Sequence, residues 1–166
     1  MRHIISMLLQ NEAGALARVA GMFSARGYNI ESLCVAPTQE PTLSRLTLVT
    51  TGPDAVIEQI LKQSRKLVDV VEVMDLNHLD HLENELAILK LRVDGDCARR
   101  VVDCVRRHGA LILDEVGAIR TVQIAGNGAE VNAFLDEIAG LAPVEELVRS
   151  GTAAIERGRS RLTASL

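Results

Sequence analysis

Aromatic side chains are scarce in this chain: Phe23, Tyr28 and Phe134 are the whole set in 166 residues, and tryptophan is missing. A βαββαβ surface that binds RNA stacks bases on exposed aromatic rings, and the strand-like runs 3–9 and 43–50 carry none. Excess positive charge is also missing, the formal net charge being −4, so no nucleic-acid partner is expected. Cysteine is limited to Cys34, Cys97 and Cys104, an odd number without a CxxC spacing. That rules against a disulfide framework, and three buried reduced thiols are expected instead. No apolar run reaches the roughly 18 residues of a membrane span, and the first residues run into a polar loop at Gln10 without a small-residue cleavage site. A cytoplasmic protein without a membrane partner is therefore expected.

What remains is a chain with 48% hydrophobic and 24% charged residues, enough to build one core or two small ones. The apolar run 3–9 stops at Gln10-Asn11-Glu12-Ala13-Gly14, as a strand entering a loop does. Leu16, Val19, Ala20 and Phe23 then recur with helical spacing up to Gly27, a helix stop. Residues 30–36 and 43–50 are β-rich runs around Pro37 and Pro41. A second helix follows Pro53-Asp54, with Val56, Ile57, Ile60 and Leu61 on one face, and a strand over 68–74 closes the unit.

After a polar stretch the same order returns: strand 86–93, helix 97–108, strands 110–116 and 119–126, helix 129–141, strand 144–148. The predicted fold is α+β, two ferredoxin-like βαββαβ sandwiches in tandem, each an antiparallel sheet with two helices on one face. The boundaries are 1–76 for the first domain, 77–84 for a linker, 85–150 for the second domain and 151–166 for a tail. The tail has no clear periodicity and is expected to be mobile or to dock on a partner.

Residues with catalytic chemistry are few. His78 and His81 flank Asp80 in the linker, a spacing commoner on solvated surface than in metal sites, and no metal site is assigned. His3 and His108 have no recognisable partner in the sequence, and Ser6, Ser24 and Ser32 lie in no nucleophile motif. No catalytic residue is expected. The loop Asn11 to Leu16 is more informative, because a helix start offers free backbone N–H groups and a positive dipole end that suit a carboxylate. Gly14, lacking a Cβ, lets a ligand approach, and the amide oxygens of Asn11 and Asn29 are suited to accept from an ammonium group. Taken by itself, the loop is more economically explained by Asn11 as a helix cap and Gly14 as a turn residue. The corresponding loop of the second half, Asp94-Gly95-Asp96, would repel a carboxylate, while its acidic side chains are expected to cap the helix that follows.

Asn11-Glu12-Ala13-Gly14-Ala15-Leu16-Ala17-Arg18-Val19, then Phe23-Ser24-Ala25-Arg26-Gly27-Tyr28-Asn29-Ile30-Glu31-Ser32-Leu33, then Pro41-Thr42-Leu43-Ser44-Arg45 closely resemble the N-terminal ACT domain of acetohydroxyacid (acetolactate) synthase small subunits. The likeness continues through Lys66 to Val70 and, more thinly, through Thr121 to Gly126 and Val148 to Gly151. It implies that the first domain is an ACT domain that pairs with a second copy, forming a homodimer, and binds valine, leucine or isoleucine at the interface. Effector contacts carry over to Asn11, Gly14, Ala15, Asn29 and Ile30, with Val35 and Ala36 in the second strand. Cys34 departs from the hydroxyl residue expected there. The resemblance further implies a regulatory subunit, without catalysis or cofactor of its own, that activates an acetolactate synthase large catalytic subunit. That partner would carry thiamine diphosphate, magnesium and FAD, and would be subject to feedback inhibition by valine. An amino-acid sensor for another enzyme or a transcription factor remains open, although no helix-turn-helix accompanies it.

Overall fold

The computed structural model describes residues 1–163. They form two compact units: residues 1–82 together with the tail from Thr152 onward, and residues 83–151. In the first unit β1 (Arg2–Gln10), α1 (Ala15–Ala25), β2 (Ser32–Pro37), β3 (Leu43–Thr51), α2 (Asp54–Ser64) and β4 (Val70–Asp75) follow in the expected order. The sheet is antiparallel with order β2-β3-β1-β4, which leaves β2 and β4 at its edges.

Strand periodicity divides this sheet into two faces. Ile5, Met7 and Leu9 of β1 pack with Leu46 and Leu48 of β3 against Val19, Met22 and Phe23 of α1 and Ile57 and Ile60 of α2. Burying a large apolar side chain of this kind contributes about 1.5–3 kcal/mol. The helix faces are only partly those the spacing predicts. α2 buries Ile57 and Ile60 as expected, and Pro53 sits at its N-cap with extended backbone. α1 instead buries Ala15, Val19, Met22 and Phe23, leaving Leu16 and Ala20 outside. Nearly every position from Ala15 to Phe23 is apolar or small, so two stripes satisfy the helical period, and only the sheet decides between them.

Strand ends shift for local reasons. β2 begins at Ser32 and not at Ile30: the Asn29 carbonyl accepts from the Thr50 hydroxyl at 2.6 Å, and Ile30 turns onto the core. β4 begins at Val70, because Val68 lies in a turn closed by the Val70 N–H on the Leu67 carbonyl.

The other face of the first sheet is covered by the tail, which was expected to be mobile or to dock on a partner. Ala154, in the short β9 (Ala153–Glu156), packs with Ile4, Val49 and Leu76. The Arg45 guanidinium donates to the Ala154 carbonyl at 3.2 Å, and the Arg157 N–H donates to the Asp80 carbonyl at 2.8 Å. Residues 152–163 thus belong to the first unit, and the expectation for 164–166 lies outside the described residues.

The second unit runs β5 (His81–Arg92), α3 (Ala98–Arg107), β6 (Leu111–Val116), β7 (Ile119–Gly126), α4 (Gly128–Ala139) and β8 (Val144–Arg149), with sheet order β6-β7-β5-β8. Ala87, Leu89, Leu91, Val122 and Ile124 of the sheet pack on Val101, Cys104 and Val105 of α3 and Val131, Phe134 and Ile138 of α4. Asn127 and Glu130 form a capping box at the start of α4, satisfying two otherwise orphaned N–H groups. The acidic capping expected at α3 does not occur. Its N-cap is Cys97, no side chain caps it, and the Asp94 backbone carbonyl takes the Cys97 and Ala98 N–H groups. All three cysteines are free, but only Cys104 is buried; Cys34 and Cys97 are half-buried, a correction to the reading of three core thiols.

Candidate functional site: the loop before α1 and the edge of β2

Gly14 is the N-cap of α1 and holds a left-handed backbone, φ 90°, which L side chains rarely adopt. A Cβ placed there would stand 2.8 Å from Nη1 of Arg18. The first turn of α1 has no side-chain cap and no acidic residue, so the positive end of the helix is not compensated by its own side chains. Asn11 is therefore not the cap. Its amide donates to the Pro41 carbonyl at 2.9 Å and its oxygen accepts from the Ser44 hydroxyl at 3.1 Å, which ties the loop to β3.

These elements enclose a cavity of about 260 Å³ that brings Asn11, Ala15, Val35 and Ala36 together with Leu16 and Ser44. Gly14 adjoins this cavity in sequence without lining it. Asn29 and Ile30 are elsewhere: β2 pairs Ser32 with Val49 and Pro37 with Ser44, so they lie past the end of the strand opposite Ala36. Within one chain, the anticipated contacts are split between the two ends of β2.

Two positions in this region were not singled out. Ser44 holds Asn11 in place, and Leu16, turned outward by the rotated face of α1, becomes a wall of the cavity. Arg18 also anchors the start of the helix by a two-pronged pairing with the buried Asp69. Those bonds hold the Asp69 carboxyl below the usual carboxylate range. The pairing spans 51 positions in sequence, and no local pattern announces it.

The histidines left without partners by the sequence have them in the structure. His3 is fully buried, Nδ1 lying 3.0 Å from the Asp75 carboxylate and Nε2 3.4 Å from that of Asp54. His78 and His81 do not converge: His78 lies 3.8 Å from Asp75, His81 bonds the Leu79 carbonyl, and Asp80 pairs with Arg157. His108 lies 2.8 Å from Glu137, and with Cys104 these residues place their donor atoms within 4.8 Å of one another. Glu137 is already engaged by both Arg107 and His108, which pull its carboxyl down from 4.5 to about 2. With a guanidinium already occupying the carboxylate, the cluster serves as a polar clasp between α3 and α4.

The two halves of the chain match two family models. Residues 5–72 match an AHAS small subunit-like ACT domain, and residues 84–158 match the small subunit of acetolactate synthase. The acetolactate synthase isozyme 3 small subunit of Escherichia coli K12 is 47% identical over 161 residues, covering 95% of this chain and 97% of that protein. The acetolactate synthase small subunit of Haemophilus influenzae is 42% identical over 165 residues, covering 98% and 99%. The crystal structure of the acetolactate synthase small subunit from Thermotoga maritima superposes with a TM-score of 0.87 at 35% identity, covering 96% of this chain and 99% of that one. An ACT domain followed by a second ferredoxin-like unit, matched from end to end in this way, establishes that the chain belongs to the acetolactate synthase small-subunit family.

Proposed function

We propose that this chain is the feedback sensor of an acetolactate synthase: it binds valine, or another branched-chain amino acid, in its first unit and controls a large catalytic subunit. The observation that carries this reading is the bare N-terminus of α1 beside a 260 Å³ cavity at the edge of a sheet. In the proposed complex the effector carboxylate sits at the backbone N–H groups of Leu16 and Ala17, the Ala15 N–H being taken by the Glu12 carbonyl at 3.3 Å, where the helix dipole favours an anion. Its aliphatic side chain lies against Ala15, Val35 and Ala36. One added methylene in such a wall changes binding by only about 1–3 kcal/mol, so valine, leucine and isoleucine are expected to bind with graded rather than sharply separated affinities.

Asn29 and Ile30 enter through a second copy. β2 is an edge strand with Val35 and Ala36 exposed, and antiparallel pairing of two such edges about a two-fold near Leu33 would bring the segment before Ser32, with Asn29 and Ile30, of one chain towards Ala36 of the other. The two ends of β2, apart within one chain, then meet across the dimer, and each dimer holds two effector sites.

The second unit is assigned to assembly with the catalytic subunit. Leu111, Gln123, Ile88 and Val148 stand in one cross-strand row on the face away from α3 and α4, and Leu111 and Val148 are exposed. Such an uncovered apolar row suits a protein interface. In this proposal thiamine diphosphate, magnesium and FAD belong to the catalytic partner, the condensation of pyruvate with pyruvate or 2-oxobutanoate takes place there, and the complex works in the cytoplasm. The direct test is calorimetric titration of the full chain with valine, leucine and isoleucine, in wild type and in Ala36→Asp. Binding by the wild type that is at least tenfold weaker in the variant is expected; equal binding by both would remove the site.

A further inference from the structure

A second cavity, of about 290 Å³, lies inside the first unit between the tail-covered face of the sheet and the tail itself. Leu8, Leu43 and Met74 line it from the sheet side, and Ile155 and Leu162 from the tail. Two cations, Arg45 and Arg161, also border the cavity. Arg45 donates from Nη2 to the Ala154 carbonyl, while its Nε is shielded from solvent and has no hydrogen-bond partner. Among the described residues no carboxylate forms an ion pair with it. Partly shielded arginines elsewhere among the described residues are paired, Arg120 with Glu115 and Arg149 with Glu85. Glu72 stands in the same cross-strand row, but beyond Leu8, and does not line the cavity. Burial pulls the Arg45 guanidinium below its ordinary value, as expected of a cation removed from water.

A guanidinium fork that no carboxylate of the described residues pairs, set beside Leu8, Met74, Ile155 and Leu162, is the complement of a carboxylate joined to a hydrocarbon body. We propose that this cavity binds a small aliphatic monocarboxylate, its carboxylate paired with Arg45 and its body lying against Leu8, Met74, Ile155 and Leu162. Glu40 and Glu156 offset Arg45 and Arg161 in the lining, and a lining of balanced formal charge suits a singly charged anion better than a multiply charged one. Glu40 is held by the Thr42 hydroxyl at 2.9 Å and is not turned to Arg45. Because half of the wall is tail, the ligand fastens residues 155–163 to the sheet. The site is separate from the cavity beside Asn11 and does not depend on the function proposed for that one.

The experiment is titration of the full chain with 3-methylbutanoate, 3-methyl-2-oxobutanoate, valine and inorganic phosphate, joined to limited digestion with trypsin, which cuts after Arg157, Arg159 and Arg161. Wild type binds the carboxylates and not phosphate, and binding slows release of the tail. The first two probes and valine share the carboxylate and hydrocarbon, so their ranking identifies the source. For 3-methylbutanoate, Arg45→Met weakens binding at least tenfold and abolishes the protection, Arg45→Lys retains part of both, and Ala36→Asp changes neither. Ile155→Trp, which fills the cavity from the tail side, serves if Arg45→Met does not fold, and also abolishes binding. No binding of any carboxylate at millimolar concentration, binding unchanged in Arg45→Met and Ile155→Trp, or loss of 3-methylbutanoate binding in Ala36→Asp would overturn the proposal.

Discussion

Gly14→Asp separates the effector's electrostatics from the fold more sharply than any other single change. At φ 90° a residue with a Cβ is strained by about 1–2 kcal/mol. Its Cβ would also meet Nη1 of Arg18 at 2.8 Å, so the guanidinium must move and its hold on Asp69 loosens. Against this, a carboxylate in the first turn of a helix gains about 0.3–1 kcal/mol from the dipole, and it can pair with the displaced Arg18. The strain is the larger effect, and a net loss of about 1 kcal/mol is expected, within reach of a domain whose stability is about 5–15 kcal/mol. Gly14→Ala supplies the control: it carries the same strain and the same contact with Arg18, without the charge. Thermal unfolding with and without valine, followed by reconstitution with the catalytic subunit, distinguishes the two. Both variants are expected to melt a few degrees lower, to remain dimeric and to activate. Valine should stabilise and inhibit the alanine variant weakly, and the aspartate variant not at all. Full valine inhibition of the Gly14→Asp complex, or an aspartate variant more stable than wild type, would refute the reasoning.

Other changes probe the remaining contacts. Val35→Lys puts a charge on the exposed edge of β2, and sedimentation at micromolar concentration is expected to show monomer for the variant and the proposed dimer for the wild type. Glu137→Gln tests the clasp of the second unit: the Glu137 carboxyl titrates at about 2 when folded, against an ordinary 4.5, so its stabilisation is complete above 4.5 and is lost as pH falls through that interval towards about 2. The variant is accordingly less stable at neutral pH and its stability varies less between pH 5 and 2, as followed by urea unfolding at each pH. Arg149→Leu strips both donors from the buried Glu85 carboxylate and should cost about 2 kcal/mol in urea unfolding at neutral pH. Truncation after Ser150 removes Ala154 and the cover over Ile4, Val49 and Leu76, and dye binding to newly exposed apolar surface is expected to rise.

The element order was legible because strand and helix periods change where Gly14, Gly27, Pro53 and Asp94-Gly95 interrupt them, and each interruption became a real boundary. What failed to show depended on distance along the chain. The face of α1 was ambiguous because alanines and glycine ring Leu16, and the sheet alone distinguishes the stripe through Ala15 from that through Leu16. The tail looked unstructured because its anchors, Ala154 and Leu162, are too few and too far apart to form a period. Partners such as Asp69 for Arg18 and Asp75 for His3 come from the turn before β4 and from β4 itself to the first helix and first strand. The effector residues were named from a family likeness, and one chain assembles only some of them: Asn11, Ala15, Val35 and Ala36 line one cavity, whereas Asn29 and Ile30 need a second copy under the proposed pairing.

The measurement closest to the central claim is the rate of acetolactate formation from pyruvate by the purified large subunit, by this chain and by the two together, each over a range of valine concentrations. The account predicts no turnover by this chain alone, a faster rate when it joins the large subunit, and inhibition by valine that appears only in the mixture and disappears with Gly14→Asp. A mixture no faster than the large subunit alone and indifferent to valine, leucine and isoleucine would contradict it.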